Sequence, residues 1–124
     1  MPLEYSKKVI RNFMHPKNAG RIKDADAVGK MKNPVCGDSM NLYIKVRNDR
    51  IKDIKFQTLG CAAAIASSSV LTDMAKGRTI SRAEKITKEE VVKRLGGLPP
   101  VKIHCSVLAV DALRKAIENY RKKK

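Results

Sequence analysis

Residues 40–59 read MNLYIKVRNDRIKDIKFQTL. Met40, Leu42, Ile44 and Val46 fall on one side of an extended chain, and Asn41, Tyr43, Lys45 and Arg47 on the other, which is the period of two that a half-buried strand requires. Asn48 and Asp49 supply turn residues, and Ile54, Phe56 and Thr58 resume the alternation on the return. The stretch predicts an antiparallel hairpin. A third strand is expected upstream, around residues 27–31, inside the otherwise loop-like segment 21–33.

On either side of the hairpin the period changes to that of helices. Residues 4–15 carry Val9, Ile10, Phe13 and Met14 at helical spacing, and Pro16, Asn18 and Gly20 end the run. Gly60 closes the sheet region, and Cys61 opens CAAAIASSSVLTDMAK, whose small residues suit a helix packed closely against its neighbours, with Gly77 as its stop. Ser81 with Glu84, and Thr87 with Glu90, have the spacing of a capping box; the second opens KEEVVKRL, ended by Gly96 and Gly97. After LPPVK, residues 98–102, a long helix presents Ile103, Val107, Val110, Leu113, Ile117 and Tyr120 as one apolar stripe. The expected fold is α+β: a small antiparallel sheet of about three strands packed against several helices, the last one long. Residues 1–124 are enough for one domain with its own core, without an obligatory disulfide or structural metal.

Composition narrows the function classes. Hydrophobic residues make up 43% and charged residues 31%, as in a folded, water-soluble body. No apolar run reaches the roughly 18 residues that span a bilayer, and MPLEYSKKVIRNF lacks the apolar core of a signal peptide, so a cytoplasmic protein with no membrane partner is expected. There are 27 Lys and Arg against 12 Asp and Glu, a formal charge of +15. Phosphate neutralisation would make this a nucleic-acid binder. Four of the charges, however, form the tail 121–124, expected to fray, and the others are dispersed with no Trp, two Phe and three Tyr to stack on bases. A general solubility role or attraction to acidic partner proteins is the better reading of the charge.

Three cysteines, Cys36, Cys61 and Cys105, neither pair off evenly nor form a CxxC motif, so reduced thiols are expected. In NPVCGDS, residues 33–39, Asn33, Pro34 and Gly37 lift Cys36 onto a turn, with Asp38 two residues on. Cys61 sits at a strand-to-helix junction and Cys105 in the first turn of the last helix. There, unpaired N–H groups favour a thiolate. Cys105 lies about 120° from the centre of the apolar stripe, and His104 lies further round, so neither is expected in the core of that helix. Taken together, three thiolates and one oxygen or nitrogen ligand fit zinc or an iron–sulfur cluster. Asp38 or His104 in the fourth place is a weaker ligand for cluster iron than a thiolate. That property suits a carrier.

NPVCGD, GCAAAIASSS and LPPVKIHCSVLAVDA, together with the opening YSKKVIRNFMHPKNAG, resemble the signature segments of the IscU family of iron–sulfur cluster assembly scaffolds, also similar to the N-terminal domain of NifU. The likeness runs over residues 5–120. It implies that Cys36, Cys61 and Cys105 bind a nascent [2Fe-2S] cluster, with Asp38 and His104 as alternative fourth ligand and modulator of lability. It further implies that a cysteine desulfurase supplies sulfur as a persulfide, and that the cluster, built from iron on a non-enzymatic scaffold, passes to apo iron–sulfur proteins. By the same resemblance Leu98, Pro99, Pro100, Val101 and Lys102 form the segment that a DnaK-like chaperone reads; the two prolines would hold it extended. The chain departs from the family pattern at Ala62, commonly a glycine, and at Val110, commonly acidic.

Two rivals come from other classes. One is a zinc-stabilised interaction domain with a Cys3Asp or Cys3His site, the ion being alternatively a resting form of the scaffold. The other is an enzyme using Cys105 as nucleophile and His104 as base, disfavoured because neighbouring helical residues point about 100° apart.

Overall fold

The computed structural model describes residues 5–34 and 37–123. Its elements run α1 (Lys7–Met14), β1 (Ala27–Lys32), β2 (Ser39–Arg47), β3 (Arg50–Leu59), α2 (Ala62–Ala75), α3 (Ile80–Ala83), α4 (Lys88–Arg94), a 3-10 turn (Pro100–Lys102) and α5 (Ile103–Lys123). The three strands form an antiparallel meander in the order β1-β2-β3. The expected hairpin is present. Asn48 and Asp49 form its two-residue loop, with φ of 53° and 63°, the left-handed pair that matches the twist of the flanking strands.

The alternating side chains behave as read: Met40, Leu42, Ile44, Ile54 and Phe56 are buried on the face covered by α2 and α5. At Gly29 of β1 the helix comes closest. A Cβ there would stand 2.2 Å from the carbonyl oxygen of Ala112 and 2.5 Å from the amide of Ala116, so α5 lies directly on the strand's backbone. Loops cover the free edge of β3: Phe56 N–H donates to Asn18 O, Gly20 N–H to Phe56 O, and Ile51 N–H to Arg78 O. That pairing removes an open template for another chain.

In α2 the small residues permit burial on nearly every side. Its hydroxyls link it to other elements. Ser68 Oγ donates to Ala64 O and stands 2.8 Å from Thr58 Oγ1. Ser69 Oγ accepts from Lys17 N–H and donates to Asn12 Oδ1. Ser67 Oγ, by contrast, is buried with no partner among the described residues. Removing an unpaired buried hydroxyl relieves its desolvation, so Ser67→Ala should leave stability within about 0.5 kcal/mol or raise it. Urea denaturation checks this; a loss above about 1 kcal/mol would mean that the hydroxyl has a partner.

Four local expectations are corrected. Of the α1 apolar set only Val9 is buried, while Ile10, Phe13 and Met14 are exposed, because α2 touches the helix along one narrow side. Ser81 does not cap α3; Thr79 does, its Oγ1 accepting from Arg82 N–H. The Thr87 and Glu90 capping box is formed. The basic tail is helical through Lys123, since cations suit a helix C-terminus and Arg121 and Lys122 pair with Glu84 and Glu118. Pro99 is extended, but Pro100–Lys102 closes a 3-10 turn rather than continuing so.

Candidate metal centre

Three elements meet at one end of the core. The turn after β1 is closed by Asn33 N–H donating to Asp38 O and Gly37 N–H donating to Asn33 O, both 2.8 Å, and Gly37 adopts a φ of 79°. Cys36, and with it the expectation that a turn lifts it out, lies outside the described residues. Cys61 is the N-cap of α2, and Cys105 lies in the first turn of α5. Their sulfurs are 3.6 Å apart, and Asp38 Oδ2 is 4.0 Å from Cys61 Sγ. One ligand atom from each of Asp38, Cys61 and Cys105 falls within 4.8 Å of the others.

Gly60 makes room for the carboxylate. A Cβ on it would stand 2.8 Å from Asp38 Cγ and 3.0 Å from both carboxylate oxygens. Any side chain there would push Asp38 from the cysteines. This requirement is spatial and cross-strand, and a glycine next to a cysteine is its sole trace in the sequence.

Cys105 is buried, not on an open flank as the stripe implied. It forms a small cluster with Ala63 and Ala64, against which Tyr5, Cys61 and Leu98 pack. The sheet covers one side of α5 and the start of α2 another, so a single apolar stripe underestimates how much of the helix is enclosed. Burial, and then the charge of Cys61, push the Cys105 thiol up to about 12 from its ordinary 9.0. The expected lowering by the helix N-terminus loses, since that field is worth about 1 kcal/mol and burial shifts a pKa by several units. Metal entry must therefore displace a proton from Cys105.

A pH dependence follows. Between about pH 9 and 12 the unfolded thiol ionises while the folded one keeps its proton, so the folded state holds more protons and stability falls as pH rises through that window. Urea denaturation of the metal-free protein near pH 8 and pH 10.5 should show the unaltered chain losing about 2 kcal/mol more than Cys105→Ala. Equal losses would contradict it.

His104 is half-buried, and its Nε2 stands 3.7 Å from Cys105 Sγ. The imidazole's reach at the first turn offsets the 100° between neighbouring positions, which corrects the expectation that the two groups point apart. Tyr5 and Lys102 also belong to this end of the molecule. Burial raises the Tyr5 phenol, and the electrostatic influence of the neighbouring Cys61 raises the Lys102 ammonium. Neither was marked as a metal-site residue by spacing, since both arrive by tertiary packing. Of the remaining LPPVK residues, Leu98 packs on the cysteine cluster and Val101 is 64% exposed.

A thiol pair with a carboxylate and an imidazole beside it, at one end of a sheet-and-helix core, gives an α+β domain with a sulfur-rich group of side chains that could hold a metal ion. The chain belongs to the family described as the NifU-like N terminal domain, which it matches over residues 4–124. It is 61% identical over 119 residues to the iron-sulfur cluster assembly scaffold protein IscU 1 of Archaeoglobus fulgidus, covering 96% of this chain and 78% of that one. It is 47% identical over 126 residues to the IscU scaffold protein of Azotobacter vinelandii, covering 98% of each. Among solved structures, a candidate iron-sulfur cluster assembly scaffold protein for the SUF system of Fervidobacterium islandicum AW-1 superposes with a TM-score of 0.77 at 26% identity, covering 91% of this chain and 96% of that one. Among the described residues no helix is long and apolar enough to cross a membrane.

Proposed function

We propose that the chain is a scaffold on which an iron–sulfur cluster, [2Fe-2S], is assembled from iron and desulfurase-derived sulfur and then transferred to apo-proteins. The observation that carries this reading is the Cys61 and Cys105 sulfur pair at 3.6 Å with Asp38 beside it. The membership of a family whose relatives are named IscU scaffolds supports it. In this reading Cys36, Cys61 and Cys105 hold the cluster, and Asp38 or His104 completes its ligand set. The cluster is cargo. A cysteine desulfurase delivers sulfur as a persulfide. Free thiols supply the two electrons that reduce it to the sulfide of the cluster and are left as a disulfide, and the reducing conditions of the cytoplasm keep the receiving thiols free.

The same sulfur separation is close to the roughly 3.8 Å between two thiolates on one tetrahedral ion with 2.3 Å bonds. A zinc ion held by Cys61, Cys105 and Asp38 is therefore a resting form compatible with the scaffold. Lys102, close enough to sense the charge of Cys61, offsets the negative charge that gathers as thiols give up protons. A DnaK-like chaperone gripping LPPVK in extended form would unwind the 3-10 turn at residues 100–102 and draw Leu98 off the cysteine cluster. Cluster release would follow from that loosening.

Asp38 is the weak link by design of its chemistry, since a hard carboxylate holds iron less firmly than a thiolate and is easily exchanged. Asp38→Ala is expected to give a longer-lived cluster and slower transfer to an apo-ferredoxin, followed by visible absorption. An unchanged or faster decay would contradict release by ligand exchange at Asp38.

A further inference from the structure

Away from the cysteines, a groove of about 430 Å³ is lined by Lys8 of α1, Met74 near the end of α2, Arg78 just after it, and Glu90, Lys93 and Arg94 of α4. Four cations converge there from three parts of the chain against one carboxylate. Among the described residues none of the four side chains takes part in an ion pair. Glu90 is occupied by its own helix, its Oε1 accepting from Thr87 N–H and Oγ1 at 3.3 Å. A strongly basic chain has many surface cations, so the contrast with another basic hollow is what matters. In the hollow lined by Glu84, Lys85, Arg114, Glu118, Arg121 and Lys122, Arg121 pairs with Glu84, Lys122 with Glu118, and Arg114 donates to the carbonyls of Glu84 and Ile86. Both carboxylates of that hollow are ion-paired and three of its four cations have a partner, whereas among the described residues no cation of the groove between α1 and α4 is ion-paired.

We infer that this groove binds a small polyphosphate anion, the phosphate chain of a nucleotide or inorganic polyphosphate. Two guanidinium groups offer forked donors that match phosphate oxygens, and two ammonium groups add point charges. The volume is that of a small-ligand site and exceeds one phosphate group, which favours a chain of phosphates. The groove walls are anchored: Arg78 O accepts from Ile51 N–H and Arg78 N–H donates to Ala75 O, while Ser6 Oγ donates to Leu95 O and so ties the start of α1 to the end of α4.

The test is a titration of the full chain with tripolyphosphate and with ATP without added metal at about 150 mM salt, read by backbone amide chemical shifts and by calorimetry. Saturable shifts are expected around residues 8, 78 and 90–94, with affinity falling at least tenfold in Arg78→Glu/Arg94→Glu and unchanged in Lys85→Glu. Lys8→Glu/Lys93→Glu serves as an independent second variant should the first fold poorly by circular dichroism. Equal affinity for the two probes assigns the phosphate chain alone, and tighter ATP binding assigns a nucleotide. Shifts scattered over all basic surfaces, no saturation, or equal binding by every variant would overturn the site.

Discussion

Cys61→Ser and Cys105→Ser, each made alone, are expected to retain less than about a tenth of the cluster that the unaltered chain retains after reconstitution, because a hydroxyl is a poor substitute for thiolate on iron. The two sulfurs stand 3.6 Å apart, so losing either leaves the other without the nearest sulfur among the described residues. Folding should survive both changes. Cys61 is partly exposed, and serine there meets solvent, whereas Cys105→Ser places a hydroxyl among Ala63 and Ala64 and should cost about 1–2 kcal/mol. Iron and acid-labile sulfide content, measured beside circular dichroism, separates the two effects. Full cluster content in either variant would show that its thiol is not a ligand.

Gly29→Ala should be the most damaging single-methyl change in the sheet. The added carbon would meet the Ala112 carbonyl at 2.2 Å, the Ala116 amide at 2.5 Å and the Ala116 Cα at 3.0 Å. All three are backbone atoms, so no rotamer change gives way and β1 must move from α5. Overpacking of this kind costs about 3 kcal/mol or more, which for a chain of this size lowers the melting temperature by about 10 °C. A thermal scan followed at a helical wavelength reads it; a shift within about 2 °C would mean that strand and helix are less tightly apposed.

The parts legible in the sequence were those set by local rules. Alternation along residues 40–46 fixed which side of β2 is buried, Asn48 and Asp49 marked a turn that needs left-handed backbone, and Thr87 with Glu90 marked a helix start. Where burial depends on what packs alongside, local rules gave out. Ile10, Phe13 and Met14 repeat like a core face but meet solvent, and Cys105 lies off the α5 stripe yet is buried under the start of α2. The helix terminus favoured a low Cys105 pKa until burial was known. Asp38 was recognisable beside Cys36 in NPVCGDS, but the space that Gly60 leaves for it belongs to a contact between distant parts of the chain. Tyr5 and Lys102 reach the cysteines for the same reason.

The most direct measurement is the visible absorption spectrum, with iron and acid-labile sulfide content, after anaerobic reconstitution with ferrous iron, cysteine and a cysteine desulfurase. Sulfur-to-iron charge-transfer bands with matched iron and sulfide, lost together when Cys61 or Cys105 is changed to serine, are the predicted result. A colourless protein that keeps zinc under those conditions would contradict cluster assembly and leave Asp38, Cys61 and Cys105 as a structural metal site.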